Sequence, residues 1–496
     1  MKRIVQFVGL CALIQAAAAA ELSCPGAIGA MTDVRIDPAR VVRPGVPKTL
    51  FGFSVDWFQF QQGHVRQGEV RPEVIKWLQP FAGAAYRYSA GNEMDWSAMV
   101  GPLASRRPVY ANYHGNALPT FGPEEYLQFL RQVNGRGIFL LDVAGKRYQG
   151  DRQRMIADNL GLLDWMKGKQ QTICAGGQAC GVDAYELGNE VDWEKGLRWP
   201  GPVYAERMRE LLTALKQTHP EAAFVANGRT APWGSGGAGY NEPSFDASVA
   251  QEIGSLVAGA TIHPYYDGNP VPQMKSHIAK LAATYRRVNP AAQVYVTEHG
   301  RWPSANPLGK WEANWYQASG GWGGISAANF ILMLTDMPEV RTASWHAISV
   351  SGPWQLFHWN KGGDLVYPSA AYWAMRAIRE GYLEDVVMTT PTLVEARDYA
   401  GGYRLRMVGM AGADGRMSLL GVNRARVATA VRVIPTANRM AGRTVQTVMF
   451  SSDLAGADNT DAEPYRYQIS RRSFNAVAAG DVICVPPLTA FSVVYQ

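Results

Sequence analysis

Two nearly identical hexapeptides hold the first residues that could do chemistry. Residues 91–96 read GNEMDW and residues 188–193 read GNEVDW. A third glutamate, Glu298, stands in VTEHG at 296–300. A carboxyl group can give a proton, take one or attack carbon, and two that face each other can divide those tasks. Which of Glu93, Glu190 and Glu298 face each other depends on the elements that carry them.

From about residue 48 to 380, eight strand-like runs alternate with helical patterns. The runs are TLFGFSVDW, GAAYRYS, GIFLLDV, VDAYELG, AAFVANG, VAGATIHPY, AQVYVTEHG and TASWHAISV. Between them lie amphipathic segments such as PEEYLQFLRQV, DRQRMIADNLGLLDWMKG and VPQMKSHIAKLAATYRRV. In the last of these Met274, Ile278, Leu281 and Ala282 recur at helical spacing. Pro123, Pro202, Pro243 and Pro368 suit helix starts. Strand then helix, eight times over, predicts an α/β fold of the (β/α)8 barrel type. The doubly wound alternative lacks its glycine-rich loop, because the first run ends in Phe53-Ser54-Val55-Asp56-Trp57. Beyond residue 381 short alternating runs (VVMTTPTLVEARDY, YRLRMVGM, MSLLGVNR, TAVRVIP, TVQTVMF, YRYQIS, FSVVYQ) predict an antiparallel β-sandwich over 381–496. The strand-like stretch within 21–47 is expected to join it.

In a barrel of this kind chemistry sits at the C-terminal ends of the strands. YELGNE ends the fourth run and VTEHG the seventh, which puts Glu190 and Glu298 across the mouth from each other. Two carboxyl groups flanking a pocket are what glycosidic bond hydrolysis needs. One donates a proton to the leaving oxygen and the other attacks the anomeric carbon or activates water. Glu186, deeper on the fourth run, is expected to be a buried partner of Arg87. Glu93 sits two residues farther past its strand than Glu190, in the long 90–120 segment. It reads as a substrate contact or a solvated loop residue. The GNExDW echo reads as chance, since the following SAMVGP and EKGLRW do not repeat.

On these motifs the chain resembles the retaining glycoside hydrolases of clan A. Its two-domain plan is similar to the α-L-arabinofuranosidase and heparanase/β-glucuronidase branches. The resemblance implies Glu190 as general acid/base and Glu298 as nucleophile, with Asn189 on the hydroxyl next to the anomeric carbon. It implies that Arg87 holds the nucleophile ionised, that His263 and Tyr265 orient it, and that Trp345 floors the sugar site. No metal or cofactor is called for. Ser89-Ala90-Gly91 departs from the Pro-Gly-Gly turn of those branches, and His299-Gly300 is not their commonest continuation.

Carbohydrate is also the partner that the tryptophans suggest. Trp77, Trp165 and Trp373 of the fifteen fall on helical patterns. The other twelve, Trp193 and Trp345 among them, are expected at or beyond strand ends, where aromatic faces stack on sugars. Several subsites, and so a polymer, would follow. The net charge is +6, or +4 without Lys2 and Arg3, and no dense basic run argues for nucleic acid. Lys195, Arg198, Arg229, Arg301 and Lys361 lean towards an acidic glycan.

Lys2 and Arg3, the apolar Ile4–Ile14 and the alanines Ala16–Ala20 read as a signal peptide over 1–20 of a secreted or periplasmic chain. No later stretch is apolar enough to span a membrane. The four remaining cysteines pair as Cys174 with Cys180, around AGGQA, and Cys24 with Cys484. A zinc site lacks its CxxC or clustered histidines. Two further readings use the same barrel: a transglycosylase with the same residues, and a non-catalytic polysaccharide-binding protein. A serine esterase would need a G-x-S-x-G elbow, which is absent.

Overall fold

The computed structural model describes residues 24, 31–111, 114–175, 180–234, 240–268, 270–302, 316–349, 354–360, 362–395, 403–436, 442–452, 457–477 and 480–496. After a first strand, β1 (Thr32–Arg43), come eight barrel strands. They are β2 (Gly52–Asp56), β3 (Ala85–Ser89), β4 (Arg136–Leu141), β5 (Val182–Leu187), β6 (Phe224–Ala226), β7 (Gly259–Ile262), β8 (Gln293–Trp302) and β9 (Val340–Trp345). Each pairs in parallel with the next, and β9 returns to β2, so the barrel is closed. Every strand falls on one of the eight runs read from the sequence.

Parallel strands are covered on both faces, so their residues are almost continuously apolar. β7 is buried throughout, and β4 at every residue but its first. Asp151 caps the helix Arg152–Ile173 by accepting from the Arg154 N–H, and Pro123 opens the helix Pro123–Val133. One helix is unlike the others. Gly321–Leu334, GWGGISAANFILML, is buried at every position. A helix apolar all round must be covered all round. It lies between barrel and sandwich: a Cβ on Gly324 would come within 2.8 Å of Ala374 Cβ on the helix Ala370–Arg379. On the sandwich side, Arg406 Nε donates to Asn329 Oδ1 at 3.1 Å.

The second domain contains β10 (Asp385–Thr390), β11 (Tyr403–Ala411), β12 (Met417–Asn423), β13 (Thr429–Pro435), β14 (Thr444–Ser451), β15 (Ser470–Asn475), β16 (Asp481–Val485) and β17 (Thr489–Tyr495). Their order is β15-β14-β17-β12-β11-β10-β1-β13-β16. The neighbours are antiparallel, except that β1 runs parallel to β13. Val445 of β14 and Ile483 of β16 come from opposite ends of this order yet share one core, so the sheet folds over on itself as a sandwich. Cys24 is bonded to Cys484 on β16, and Cys174 to Cys180.

One strand reading needs correction, and one strand has no counterpart among the runs. YRYQIS is loop through Ile469, because the Asn459 side chain takes the hydrogen bonds of the Tyr467 backbone, and a strand starts only at Ser470. β16 was not singled out at all. The signal-peptide segment lies outside the described residues. Among those described, no helix is long and apolar enough to cross a membrane.

Candidate active site

A cavity of about 520 Å³ opens at the C-terminal mouth of the barrel, and both Glu190 and Glu298 line it. Glu298 stands on β8. Glu190 follows β5 by a turn, with Gly188 at φ +85° and Glu190 itself at φ +46°. The regular alternation expected past Leu187 is therefore broken. Glycine adopts this backbone freely, whereas a glutamate there costs on the order of 1–3 kcal/mol and stays only where its surroundings hold it. His263 Nδ1 is 2.7 Å from Glu190 Oε1. The Tyr265 hydroxyl donates to Glu298 Oε2 at 2.8 Å, and Arg87 Nη1 donates to Glu298 Oε1 at 2.7 Å. One carboxylate oxygen of each glutamate and one ring nitrogen of His263 lie within 4.8 Å of one another. Among the described residues this is the one set with the types and spacing to hold a cation. The fixed charge of Arg87 directly behind Glu298 opposes a cation there.

Arg87, fully buried on β3, organises the floor of the site. Its Nε and Nη2 donate to Glu186 at 2.6 and 3.0 Å, and Nη2 also donates to Asn189 Oδ1 at 2.7 Å. The planar guanidinium fork suits this work, and a buried charge is tolerated only when paired in this way. Thr297 Oγ1 donates to Glu186 Oε1 at 3.1 Å and meets His263 Nε2 at 3.0 Å, linking the floor to the mouth.

Burial alone would raise the Glu298 carboxyl. The charges of His346, His263 and Arg87 and the Tyr265 hydroxyl outweigh it, and the group is held well below the usual carboxylate range. Burial also pushes the His346 imidazole down, so Arg87 is the permanent cation near neutral pH. Burial opposes the charge on His263 too, but Glu298 and Glu190 prevail and raise it. Asp56, at the end of β2, lines the same cavity and is pushed up to about 6 by burial.

The structure thus brings Arg87, Asn189, Glu190, His263, Tyr265 and Glu298 together, with Glu186 paired to Arg87. Other expectations change. His263 hydrogen-bonds Glu190, while its Nδ1 is 3.7 Å from Glu298, so it positions the first glutamate rather than the second. Trp345 floors nothing: it is wholly buried, and its indole N–H donates to the Trp354 carbonyl at 3.0 Å. Successive strand residues face opposite ways, and it is the next residue, His346, that lines the cavity, with Nδ1 3.5 Å from Glu298 Oε2. Glu93 stays outside the lining and is paired with Lys146 at 2.6 Å.

Trp193 does line the cavity and is 38% exposed. Trp57 and Trp322, expected with it, are buried on helices, while Trp311 and Trp315 lie outside the described residues. Lys195 and Arg198 line the cavity. Arg229 and Arg301 are buried instead, bonded to the Asn241 carbonyl and to Asp267, and Lys361 lies outside the described residues. Gln59, His114, Glu194 and Tyr240 are among the lining residues that the sequence reading does not single out. Asp56 was legible by the strand-end rule that found the glutamates. Nothing in the sequence marks His114, which a long loop brings back to the mouth.

A closed barrel with an appended sandwich is the fold of the clan A glycoside hydrolases that the motifs resemble, and comparisons with known proteins agree with it. Residues 75–262 match the family model described as the alpha-L-arabinofuranosidase 1 domain. The arabinose complex of the alpha-L-arabinofuranosidase from Thermotoga maritima is 16% identical, with a TM-score of 0.76 over 94% of this chain and 99% of that one. A family 51 alpha-L-arabinofuranosidase from Bifidobacterium longum is 15% identical, with a TM-score of 0.75 over 94% of this chain and 100% of that one. The catalytic domain of the family 30 xylanase C from Talaromyces cellulolyticus is 14% identical, with a TM-score of 0.53 over 94% and 100%. No curated protein matches the chain. The chain is a glycoside hydrolase whose residues 75–262 are similar to an arabinofuranosidase domain. Its likeness to the heparanase/β-glucuronidase branch rests on the two-domain plan read from the sequence.

Proposed function

We propose that the protein is an exported, retaining α-L-arabinofuranosidase that acts on a poly- or oligosaccharide by double displacement. The observation that carries this reading is the closeness of the two glutamates, with carboxylate oxygens within 4.8 Å. Retaining enzymes keep their carboxyl groups about 5–5.5 Å apart, whereas inverting ones need roughly 6.5–9.5 Å to seat a water between them. The arabinofuranoside is suggested by the domain match and by the arabinose-bound neighbour.

In the first step a Glu298 oxygen attacks the anomeric carbon, and the bond to the leaving oxygen breaks as Glu190 protonates that oxygen. The proton is exchangeable with His263 across 2.7 Å. Arg87 and Tyr265 keep Glu298 ionised until it attacks. When Glu298 becomes an ester its charge vanishes, yet Arg87 is not orphaned, because Glu186 still faces it at 2.6 Å. In the second step Glu190 takes a proton from water, the water oxygen bonds the anomeric carbon, and the Glu298 ester bond breaks. Export is supported by the two disulfides, which persist in oxidising compartments.

The test uses 4-nitrophenyl α-L-arabinofuranoside beside other aryl glycosides and a panel of neutral and acidic polysaccharides. Proton NMR identifies the first-formed anomer. Wild type should release the retained anomer, Glu298→Gln should lose roughly 10⁴–10⁶-fold in kcat, and Glu93→Gln should stay active. An inverted first product, or a Glu298→Gln enzyme as active as wild type, would sink the mechanism.

A further inference from the structure

The loop that carries Glu190 also carries two uncommitted cations. Lys195 and Arg198 are exposed, both line the cavity, and among the described residues neither makes an ion pair. The Arg198 guanidinium lies over the Tyr240 ring at 4.7 Å. The Tyr240 ring lies 4.8 Å from that of Trp193, tilted by 34°. Trp193, Tyr240 and Arg198 thus form a layered platform beside the glutamate.

The platform is fixed rather than loose. The Trp199 N–H donates to the Val191 carbonyl at 2.8 Å, the Glu194 N–H to the Glu190 carbonyl at 2.8 Å and the Asn241 N–H to the Asp192 carbonyl at 3.1 Å. Asp192 is anchored in turn by the Thr230 N–H and hydroxyl. Arg198 is held at φ +46°, a conformation a bulky residue keeps only where its surroundings enforce it.

The rest of the cavity has the opposite sign. Asp56, Glu190, Glu194 and Glu298 all line it. A carboxylate seated against Glu298 would meet like charge, whereas one over the 193–198 loop would meet Lys195 and Arg198. Glu190, as proton donor, faces the glycosidic oxygen, so what its own loop offers beyond that point lies on the leaving-group side. We propose that Trp193, Tyr240, Arg198 and Lys195 form a leaving-group subsite for a hexuronate: the enzyme cleaves a neutral sugar from a carboxylated one. The aromatic rings stack on the sugar's C–H face, and the Arg198 fork receives its carboxylate. The inference rests on Glu190 being the proton donor.

Methyl β-D-glucuronide and methyl β-D-glucoside differ only in the carboxylate. Their affinities should be compared by ligand-detected NMR on wild type, on Arg198→Lys and on the double variant Arg198→Gln/Lys195→Gln. Wild type should prefer the glucuronide by about tenfold, and the preference should shrink in high salt. It should persist in Arg198→Lys and fall towards unity in the double variant. Equal affinities in wild type, or a preference that survives in the double variant, would overturn the proposal. With 4-nitrophenyl α-L-arabinofuranoside as donor, the glucuronide should also be the better transfer acceptor. If the donor turns over and the glucuronide binds but never accepts, the platform is not on the leaving-group side and the proposal fails. If the donor is inert but the carboxylate preference holds, the hexuronate site stands and the arabinofuranosidase reading falls instead.

Discussion

Segments 91–96 and 188–193 differ at one position, Met94 against Val191, yet their side chains are used in different ways. Glu190 lines the cavity against His263, whereas Glu93 pairs with Lys146, whose side chain is 81% exposed. Trp193 faces the cavity, but Trp96 packs on Trp165 and donates its indole N–H to the Asp158 carbonyl. The asparagines make the asymmetry explicit. Asn92 Oδ1 accepts from the Asn189 N–H at 2.8 Å, Asn92 Nδ2 donates to the Asn189 carbonyl at 2.6 Å, and it also bonds Glu194. The first segment is a brace for the second. Glu93 stands four residues past Ser89, and Glu190 three past Leu187, a difference of one residue rather than the two read from the sequence. A short motif acquires chemistry only from what its strand end faces.

The largest test of that contrast is at the glutamates themselves. Glu190→Gln should lower kcat about 10²–10⁴-fold on substrates with poor leaving groups, while Glu93→Gln should stay within about threefold. Comparable losses in the two variants would erase the distinction. A second test compares the cations behind them. Arg87→Met leaves Glu186 and Glu298 buried without their partner and should cost about 3–5 kcal/mol in denaturant unfolding. Lys146→Met removes an exposed pair and should cost at most about 1 kcal/mol. The brace comes next. Asn92→Ala strips both partners from the partly buried Asn189 backbone and should cost roughly 1–3 kcal/mol. If it positions Glu190, kcat falls while KM changes less. An unchanged kcat would show that the two segments act independently.

The barrel was legible because eight apolar runs with helical spacers admit few architectures, and the strand-end rule then exposed Glu190 and Glu298, while Arg87 beside the nucleophile and Tyr265 followed from the family resemblance. What failed depended on side-chain direction or on contacts far apart in sequence. Trp345 and His346 are neighbours, and one residue of register decides which one reaches the cavity. Arg229 and Arg301 look like free surface charge in the sequence, but Asn241 and Asp267 turn them into buried supports. Asn92 gave no sign of its role, because its partner lies 97 residues away.

The smallest expected effect concerns where the shared proton rests. Glu298 and Glu190 raise the His263 imidazole against the pull of burial. A group whose folded pKa is raised contributes stability that is fully present below its unfolded value, about 6.5 for histidine. That contribution is lost as pH rises through the folded value. The stability difference between wild type and His263→Gln should therefore be larger at pH 6 than at pH 9, and denaturant melts across that range would show it. Glu298 acts in the opposite sense. Its depressed carboxyl contributes stability above its unfolded value of about 4.3, which is lost as pH falls, so it stays out of this window. A difference that stays flat from pH 6 to 9 would mean that His263 does not change charge in that window, and that the two glutamates do not hold a proton on it.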